Sequence, residues 1–494
     1  MKNTFIISFC FFVTSAFAQK NNIFHDRDFW KQNPEISEIE RLIKDGNDIT
    51  SLNANAFDAV TWALIEKADN ETVKYLLSKK GNGVNKLTHD GRTYIFWAAY
   101  KGNLEMMQYL VDRGAKTDII DSHGYSVFNF AANAGQKDKR LYDFLIEHGA
   151  DPVEEKNHHG ANAMLLIAPF LEDFEIVEYF SSLGLNKNSV DNDGNGIFNY
   201  AAKGGNISFL KQLVKNGYAY KELNRHGGNA FLMASQGRRG HTNPLEVYTF
   251  LESLGLEPDN IGKDGKNPLH NLAYRNKDIA ALEYFIQKGV DVNLQDANGQ
   301  TPFMSAARGN DLNIIQLLLP YVDDINLQNN EGYSALTKAF GRNEVEVVEL
   351  LLKNDADITV KDKDGNSLAY YLLDTFNDPK EFEAKLNLLM ENNIALDAIQ
   401  AKGNTLLHEA VKRGNLELVK RVTAFGMDIN AKNDEGNTAL HLAAMKARNQ
   451  QILKYLISKG ADKTLKTHFE ETVYDLAAEN ELLQQNNTDL DFLR

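Results

Sequence analysis

A glycine-led string returns along this chain at a nearly constant interval, and no other feature restricts the possible fold as much. DEGNTALHLAA around Gly436 recurs as QAKGNTLLHEAV around Gly403, GKDGKNPLHNLA around Gly265, QDANGQTPFMSAA around Gly299 and THDGRTYIFWAA around Gly91. Counted through Gly91, Gly124, Gly160, Gly194, Gly227, Gly265, Gly299, Gly332, Gly365, Gly403 and Gly436, the separations run from about 33 to 38 residues, the interval of a repeat array. A unit of that size cannot bury an apolar face alone, so the units have to stack and share a continuous core. A chain of 494 residues then needs no larger central core, because the array grows in one dimension.

Every unit reads as the same series of elements. A polar turn opens a first helix with inner apolar positions at helical spacing, as in Leu440, Ala443 and Ala444, and the alanines let helices approach closely. A short turn follows, often with glycine or asparagine (Gly102, Gly135, Gly205, Asn276, Gly414). The second helix carries apolar sets such as Val348, Leu351 and Leu352. A glycine usually closes it (Gly114, Gly149, Gly184, Gly217, Gly255, Gly289, Gly426, Gly460), where a left-handed residue is wanted. Asp355 and Asn393 stand at that place in two units, and both types tolerate the conformation.

The pattern D-x-x-G-x-T-P-L-H-x-A-A-x-x-G, followed by V-x-x-L-L and G-A-D-x-N, resembles the ankyrin repeat. It is carried best by Asp296 to Ala307, Ala401 to Gly414 with Met427 to Ala431, and Asp434 to Ala444 with Gly460 to Asp462. The resemblance implies an all-α solenoid of helix-turn-helix units with short β-turn fingers. Its expected divisions are a leader over 1–18, N-terminal capping helices over 19–56, an array of about twelve to thirteen units over 57–478, and a C-terminal cap and tail over 479–494. The tail, ENELLQQNNTDLDFLR, is expected to finish the last helix and fray. The resemblance further implies that the threonine of T-P-L-H caps the first helix and that the histidine ties neighbouring units. Asn129, Leu165, Asn199 and Met304 hold the histidine position elsewhere, so His270, His408 and His441 are read as architecture rather than chemistry.

The formal charge of −15 argues against nonspecific nucleic-acid binding, which needs a basic footprint. The opening MKNTFIISFCFFVTSAFAQ places Lys2 before an apolar run from Phe5 to Val13 and small residues at Ala16 and Ala18, the layout of a secretory leader. Cleavage is expected to leave Gln19 first. No later stretch reaches the length of a membrane span. Cys10 is the only cysteine, so the exported chain carries no disulfide, thiolate metal site or cysteine nucleophile. The expected location is the periplasm, with the extracellular space as the alternative.

G-x-x-x-x-G-K-[ST], H-E-x-x-H and G-x-S-x-G do not occur in the sequence, so nothing points to an enzyme and no cofactor is expected. Two constellations remain. The turns before the repeat glycines carry His89, His123, His158, His159 and His226 beside Asp90, Asp191 and Asp193. Of these, His123, His158, His159 and His226 are candidate metal ligands, for a metal-binding role or an accessory subunit of an envelope enzyme. Fingers spaced like packed helices, roughly 10 Å apart, would strain shared ligation. The second constellation follows the alanine pair of the first helix, where the resemblance implies partner contacts: Tyr100, Lys101, Tyr274, Arg275, Arg308, Lys412 and Arg413, with Lys203, Arg342 and Lys446 in register. With Arg92, Lys263, Lys266 and the loop of Arg238 and Arg239, these predict a basic groove on an acidic body, suited to an acidic protein partner.

Three units carry extra residues between their helices: GQKDKRLY near 135–142, QGRRGHTNPLE near 236–246 and LDTFNDPKEFE near 373–383. Such insertions lie on one side of an array and serve either binding or nothing, since loops lengthen cheaply. The series Trp97, Phe130, Leu166, Tyr200 and Met233 falls where the resemblance places a framework leucine and is read as core.

Overall fold

The computed structural model describes residues 22–486 and 488–494; the leader expected over 1–18, with Cys10, lies outside them. The chain separates into two compact units, Met1–Tyr220 and Lys221–Arg494. Among the described residues both are helical, with only isolated bridges such as Ile120 to Ser126 in extended pairing.

The N-terminal unit begins with the short helices Arg27–Lys31 and Ile36–Lys44, which Trp30 and Ile39 anchor as fully buried side chains. Helix pairs follow, among them Tyr94–Tyr100 with Leu104–Val111 and Val127–Asn133 with Lys139–Glu147. In the C-terminal unit Pro268–Arg275 pairs with Ile279–Gln287, Ala335–Arg342 with Val345–Lys353, and Ala439–Lys446 with Gln451–Ser458. First helices pack on first helices of the adjoining repeats, across alanines that are almost wholly buried (Ala98, Ala99, Ala443, Ala444). Large side chains from both helices of each pair fill the shared core, Phe128 and Tyr142 in one unit and Phe231 and Tyr248 in the other, each worth about 2 kcal/mol in surface removed from water.

Most of the fingers are Asx turns, the exceptions opening on Thr88, Gly262, Gln400 and Thr467. Asp296 Oδ1 accepts the backbone N–H groups of Asn298 (2.8 Å) and Gln300 (2.9 Å), and Asn329 does the same for Glu331 (3.1 Å) and Tyr333 (2.8 Å). The turn leaves one carbonyl and one N–H pointing along the stack, and consecutive fingers join through them. Ser122 N–H donates to Asp90 O (2.9 Å), His158 N–H to His123 O (3.1 Å), Asn330 N–H to Asn298 O (3.0 Å) and Lys363 N–H to Glu331 O (2.9 Å). The fingers are therefore in backbone contact, closer than the roughly 10 Å of packed helices that the sequence suggested, because hydrogen bonds and not side-chain layers separate them.

That closeness explains the invariant spacing of glycine. Gly332 has φ +78°, and a Cβ there would stand 2.4 Å from Lys363 N. In the finger 467–471, Glu470 holds the same position at φ +65°; this is the last finger of the array, so its Cβ meets no successor. At the helix ends, Asp355 (φ +64°) and Asn393 (φ +56°) adopt the left-handed conformation that glycine supplies elsewhere. The tail does not fray as expected: Leu493 is buried and Lys463 Nζ donates to Phe492 O (3.0 Å). A lysine that caps backbone carbonyls and a leucine with a pocket together hold it.

The three repeat histidines act as locks between repeats. In the helix starting at Leu406, Thr405 N–H donates to His408 Nδ1 (3.1 Å), which leaves the ring proton on Nε2, 2.9 Å from Asn437 O of the next repeat. His441 bonds Leu465 O (3.0 Å) and His270 bonds Gln300 O (2.9 Å) in the same way. Asn129, at the equivalent place, is wholly buried with neither side-chain atom hydrogen-bonded, so the lock is specific to the imidazole's reach.

Burial lowers the pKa of His270, His408 and His441 below the ordinary 6.5. The folded rings stay neutral while the unfolded chain takes up protons below about 6.5, so the unfolded state binds more protons as pH falls and stability declines with it. Urea unfolding of the C-terminal unit in the whole chain should therefore move to lower urea between about pH 7 and about pH 5. His408→Asn, which keeps a donor and removes the titration, should shrink that shift; an unaltered shift would contradict the neutral lock.

Candidate functional site

The inner helices end side by side in each unit, and their last turns bring the sequence-selected residues to one face. In the N-terminal unit Tyr100 stacks on Phe130 (5.7 Å between centroids) and Lys101 lies 5.4 Å from the Tyr100 ring centre. Desolvation lowers the pKa of Lys101. In the C-terminal unit the half-buried ring of Tyr274 stands between two guanidinium groups, Arg275 at 4.7 Å and Arg308 at 5.6 Å. These cations hold the Tyr274 hydroxyl below its usual pKa, with the hydrogen bond from Arg275 the largest cause. Arg413 faces Tyr370 at 4.9 Å.

Not all the expected cations are equivalent. Arg92 is buried beneath the face, bonded to Asp121 (2.7 Å) and Asp90 (3.1 Å). Lys266 is paired with Asp264 (2.9 Å). Lys412 bonds Glu409 (2.8 Å) and Arg413 bonds Asp374 (2.8 Å), so much of their charge is answered inside the protein. Asp374 comes from the third insertion, which thus reaches the groove. The first insertion pairs its own charges outward, Lys139 with Glu175 (2.9 Å) and Arg140 with Asp138 (2.7 Å). The second is a tight turn closed between Arg238 and His241.

Sequence reasoning passed over Lys338, Tyr333 and Tyr370. Lys338 stands six residues after Gly332, in register with Trp97, Phe130, Leu166, Tyr200 and Met233. In the N-terminal unit Trp97, Phe130 and Leu166 of that register are core, each at most 6% exposed, whereas Tyr200, and Met233 in the C-terminal unit, are half-buried rather than core as expected, the Tyr200 hydroxyl donating to Asp191 (3.0 Å). In the C-terminal unit the same register begins with Met233 and ends with Leu442 but reads Asn271, Ser305, Lys338, Tyr371 and Glu409 between them, so the groove floor turns polar over that middle stretch. That switch along one register was the available signal. Burial pushes the Lys338 ammonium down to about 8, with Arg308 beside it adding to the shift and Asp296 opposing it.

The finger histidines are not gathered. His123 Nε2 and His89 Nε2 lie 3.3 and 3.4 Å from the same oxygen of Asp90, and Arg92 holds that oxygen at 3.1 Å. His158 lies against Gly124 and His159 is exposed one residue on, while His226 stands in the first finger of the C-terminal unit. Among the described residues no group of three or more His, Cys, Asp or Glu side chains is placed to hold a metal ion. Nor is any described helix long and apolar enough to cross a membrane.

The family model of ankyrin repeats (three copies) matches residues 60–156, 247–329, 269–362 and 380–467, more than half of the chain. The chain is 41% identical over 80 residues to Notch-regulated ankyrin repeat-containing protein A of Danio rerio, which is 16% of this chain and 70% of that protein. It is 44% identical over 70 residues to protein phosphatase 1 regulatory subunit 27 of Mus musculus, 14% of this chain and 45% of that one. Among solved structures, the human ASB11 ankyrin repeat domain is 23% identical, with 44% of this chain and 96% of that chain covered at a TM-score of 0.38. A chain in the structure of the Bd0816 predatory endopeptidase from Bdellovibrio bacteriovorus in complex with immunity protein Bd3460 is 30% identical, covering 40% and 99% at a TM-score of 0.34.

A half-buried ammonium held near 8 destabilises the free fold at neutral pH. The unfolded lysine titrates near 10.5, so the unfolded state binds more protons between the two values and stability rises with pH across that window. Lys338→Met should therefore stabilise the C-terminal unit at pH 7, by about 1 kcal/mol after allowance for solvent screening. Urea unfolding measures it, and a destabilised variant would show that Lys338 is a structural residue.

Proposed function

Since the chain belongs to the ankyrin-repeat family, we propose that it is a non-enzymatic protein-binding scaffold, exported to the cell envelope, which holds an acidic partner against the ends of its inner helices. Ankyrin arrays are interaction modules, and the relatives are named as regulatory or regulated proteins. One observation carries the groove assignment: Tyr274 flanked by Arg275 and Arg308, with Arg413 over Tyr370 on the same face. Tyrosine and arginine are enriched among the residues that dominate binding energy, tyrosine because it offers a large area with two torsions to freeze and arginine because its planar fork is pre-organised for hydrogen bonds. Their guanidinium groups also steer a negatively charged partner toward the face.

Export rests on the leader of Lys2, the apolar run to Val13 and Ala16 and Ala18, and on the absence of any cysteine after Cys10. The periplasm is the compartment we assign; release to the medium is the alternative, and cell fractionation with N-terminal sequencing separates the two. Metal handling by the finger histidines is the weaker reading. Its one favourable contact, Asp90 between His89 and His123, already has a cation in Arg92.

Crosslinking in the native envelope tests the groove. A variant carrying glutamate at Lys101, Arg275, Arg308 and Arg413 should lose the partner that the parent captures, by at least about tenfold in yield. Equal capture by both would move the binding surface away from the inner helices.

A further inference from the structure

Within the C-terminal unit, the inner-helix ends of successive repeats form a solvent-open cavity of about 380 Å³, with Arg308, Lys338, Arg342, Tyr333, Tyr370 and Asp374 in its lining. Its charge is unlike that of the surface around it. Close by, Lys277 is paired with Asp311 (2.8 Å), Lys385 with Glu381 (3.2 Å) and Arg413 with Asp374 (2.8 Å). Among the described residues no carboxylate lies within 4.0 Å of Arg308, Lys338 or Arg342. Three cations line one cavity with no carboxylate in contact, Asp374 and Asp296 being nearby acids, in a chain whose formal charge is −15. Holding them together costs free energy that a bound anion would relieve.

We propose that this cavity receives a carboxylate from an acidic peptide segment of the protein partner, clamped by Arg308, Lys338 and Arg342 between the rings of Tyr333 and Tyr370. The proposal rests on the groove reading above and specifies the chemistry of its occupant. Two guanidinium groups match the planar fork of a carboxylate, and the tyrosine faces accept the methylene stem of a glutamate or the flanking peptide. A volume near the lower limit of small-ligand sites admits a side chain and its neighbours rather than a folded surface. The field suits a single charge: Asp374 is on the rim, Asp296 faces Lys338, and Asp311, Glu344 and Glu381 line the far side of Arg342. Those acids oppose a phosphate dianion more than a carboxylate.

The site also carries a pH signature. Lys338 loses its proton near 8 in the free protein, whereas the tyrosine Tyr371 stays neutral, because burial and Asp362 raise its pKa. Acid-dependent tightening is assigned to Lys338; burial raises the pKa of Tyr370, and Tyr274, against Arg308 and held below its usual pKa first by the hydrogen bond from Arg275, is the other nearby group that loses a proton as pH rises.

The test is fluorescence anisotropy of the whole protein with a fluorescein-labelled hexaglutamate peptide, with hexaglutamine as control, and with acetate and inorganic phosphate as competitors. Binding to hexaglutamate alone is expected. Lys338→Met should weaken it by at least about tenfold. Lys338→Arg should bind within about threefold of the parent and abolish the loss of affinity that the parent shows between about pH 7 and about pH 9. Circular dichroism of both variants checks that the helices persist. Equal binding of hexaglutamine, no effect of Lys338→Met, or displacement by phosphate at lower concentrations than acetate would each overturn the proposal. If hexaglutamate fails while Arg275→Glu still abolishes partner capture in the envelope, the carboxylate site falls and the groove reading stands.

Discussion

No repeat in this chain closes its own core, so every element depends on bonds that one repeat makes to the next. A buried imidazole does this with a single ring. His408 accepts a backbone N–H of its own helix start on Nδ1 and donates from Nε2 to the following repeat. The finger ladder repeats the arrangement in backbone atoms, and at fingers such as those of Gly332 and Gly403 the following finger leaves no room for a Cβ. Stability in such a stack accumulates from neighbour to neighbour, and the inner-helix ends are placed as accurately as these links hold them.

Charge is distributed on that scaffold in two ways. Some basic groups are answered within the protein, often across repeats, as in Arg92 with Asp121 and Arg413 with Asp374. Those pairs fix neighbouring repeats to one another. Arg308, Lys338 and Arg342 lack such partners and sit where the groove floor changes from apolar to polar. Lys338 opposes the stability of the free fold, and a group that costs stability is expected at functional positions.

The fold was readable in the sequence because its causes are local and repeated. The glycine period, the helical spacing of Leu440, Ala443 and Ala444, and the left-handed Asp355 and Asn393 follow from backbone conformation and stacking. The site was readable only in part, because ion pairing joins residues far apart in sequence. Arg413 meets Asp374 across 39 positions and Arg92 meets Asp121 across 29, and no periodic pattern announces either. The basic groove inferred from residue type is therefore partly neutralised. Lys338 escaped notice because its register is a core register in the N-terminal repeats, and only the run from Asn271 to Glu409 reveals that the same position faces a cavity in the C-terminal ones.

The central claim is that the inner-helix ends carry binding while the outer helices carry architecture. Cys10 is the only cysteine of the chain, so with Cys10 replaced by serine single cysteines can report on each face without interference. The decisive measurement is thiol labelling in the native envelope and on purified protein, with cysteine introduced at the exposed groove positions Arg275 or Arg342 or at the exposed outer-helix positions Glu283 or Glu349. Groove cysteines should label well on the purified protein and be protected in the envelope, while outer-helix cysteines label equally in both. Protection confined to the outer helices, with the groove open in the envelope, would contradict the assignment.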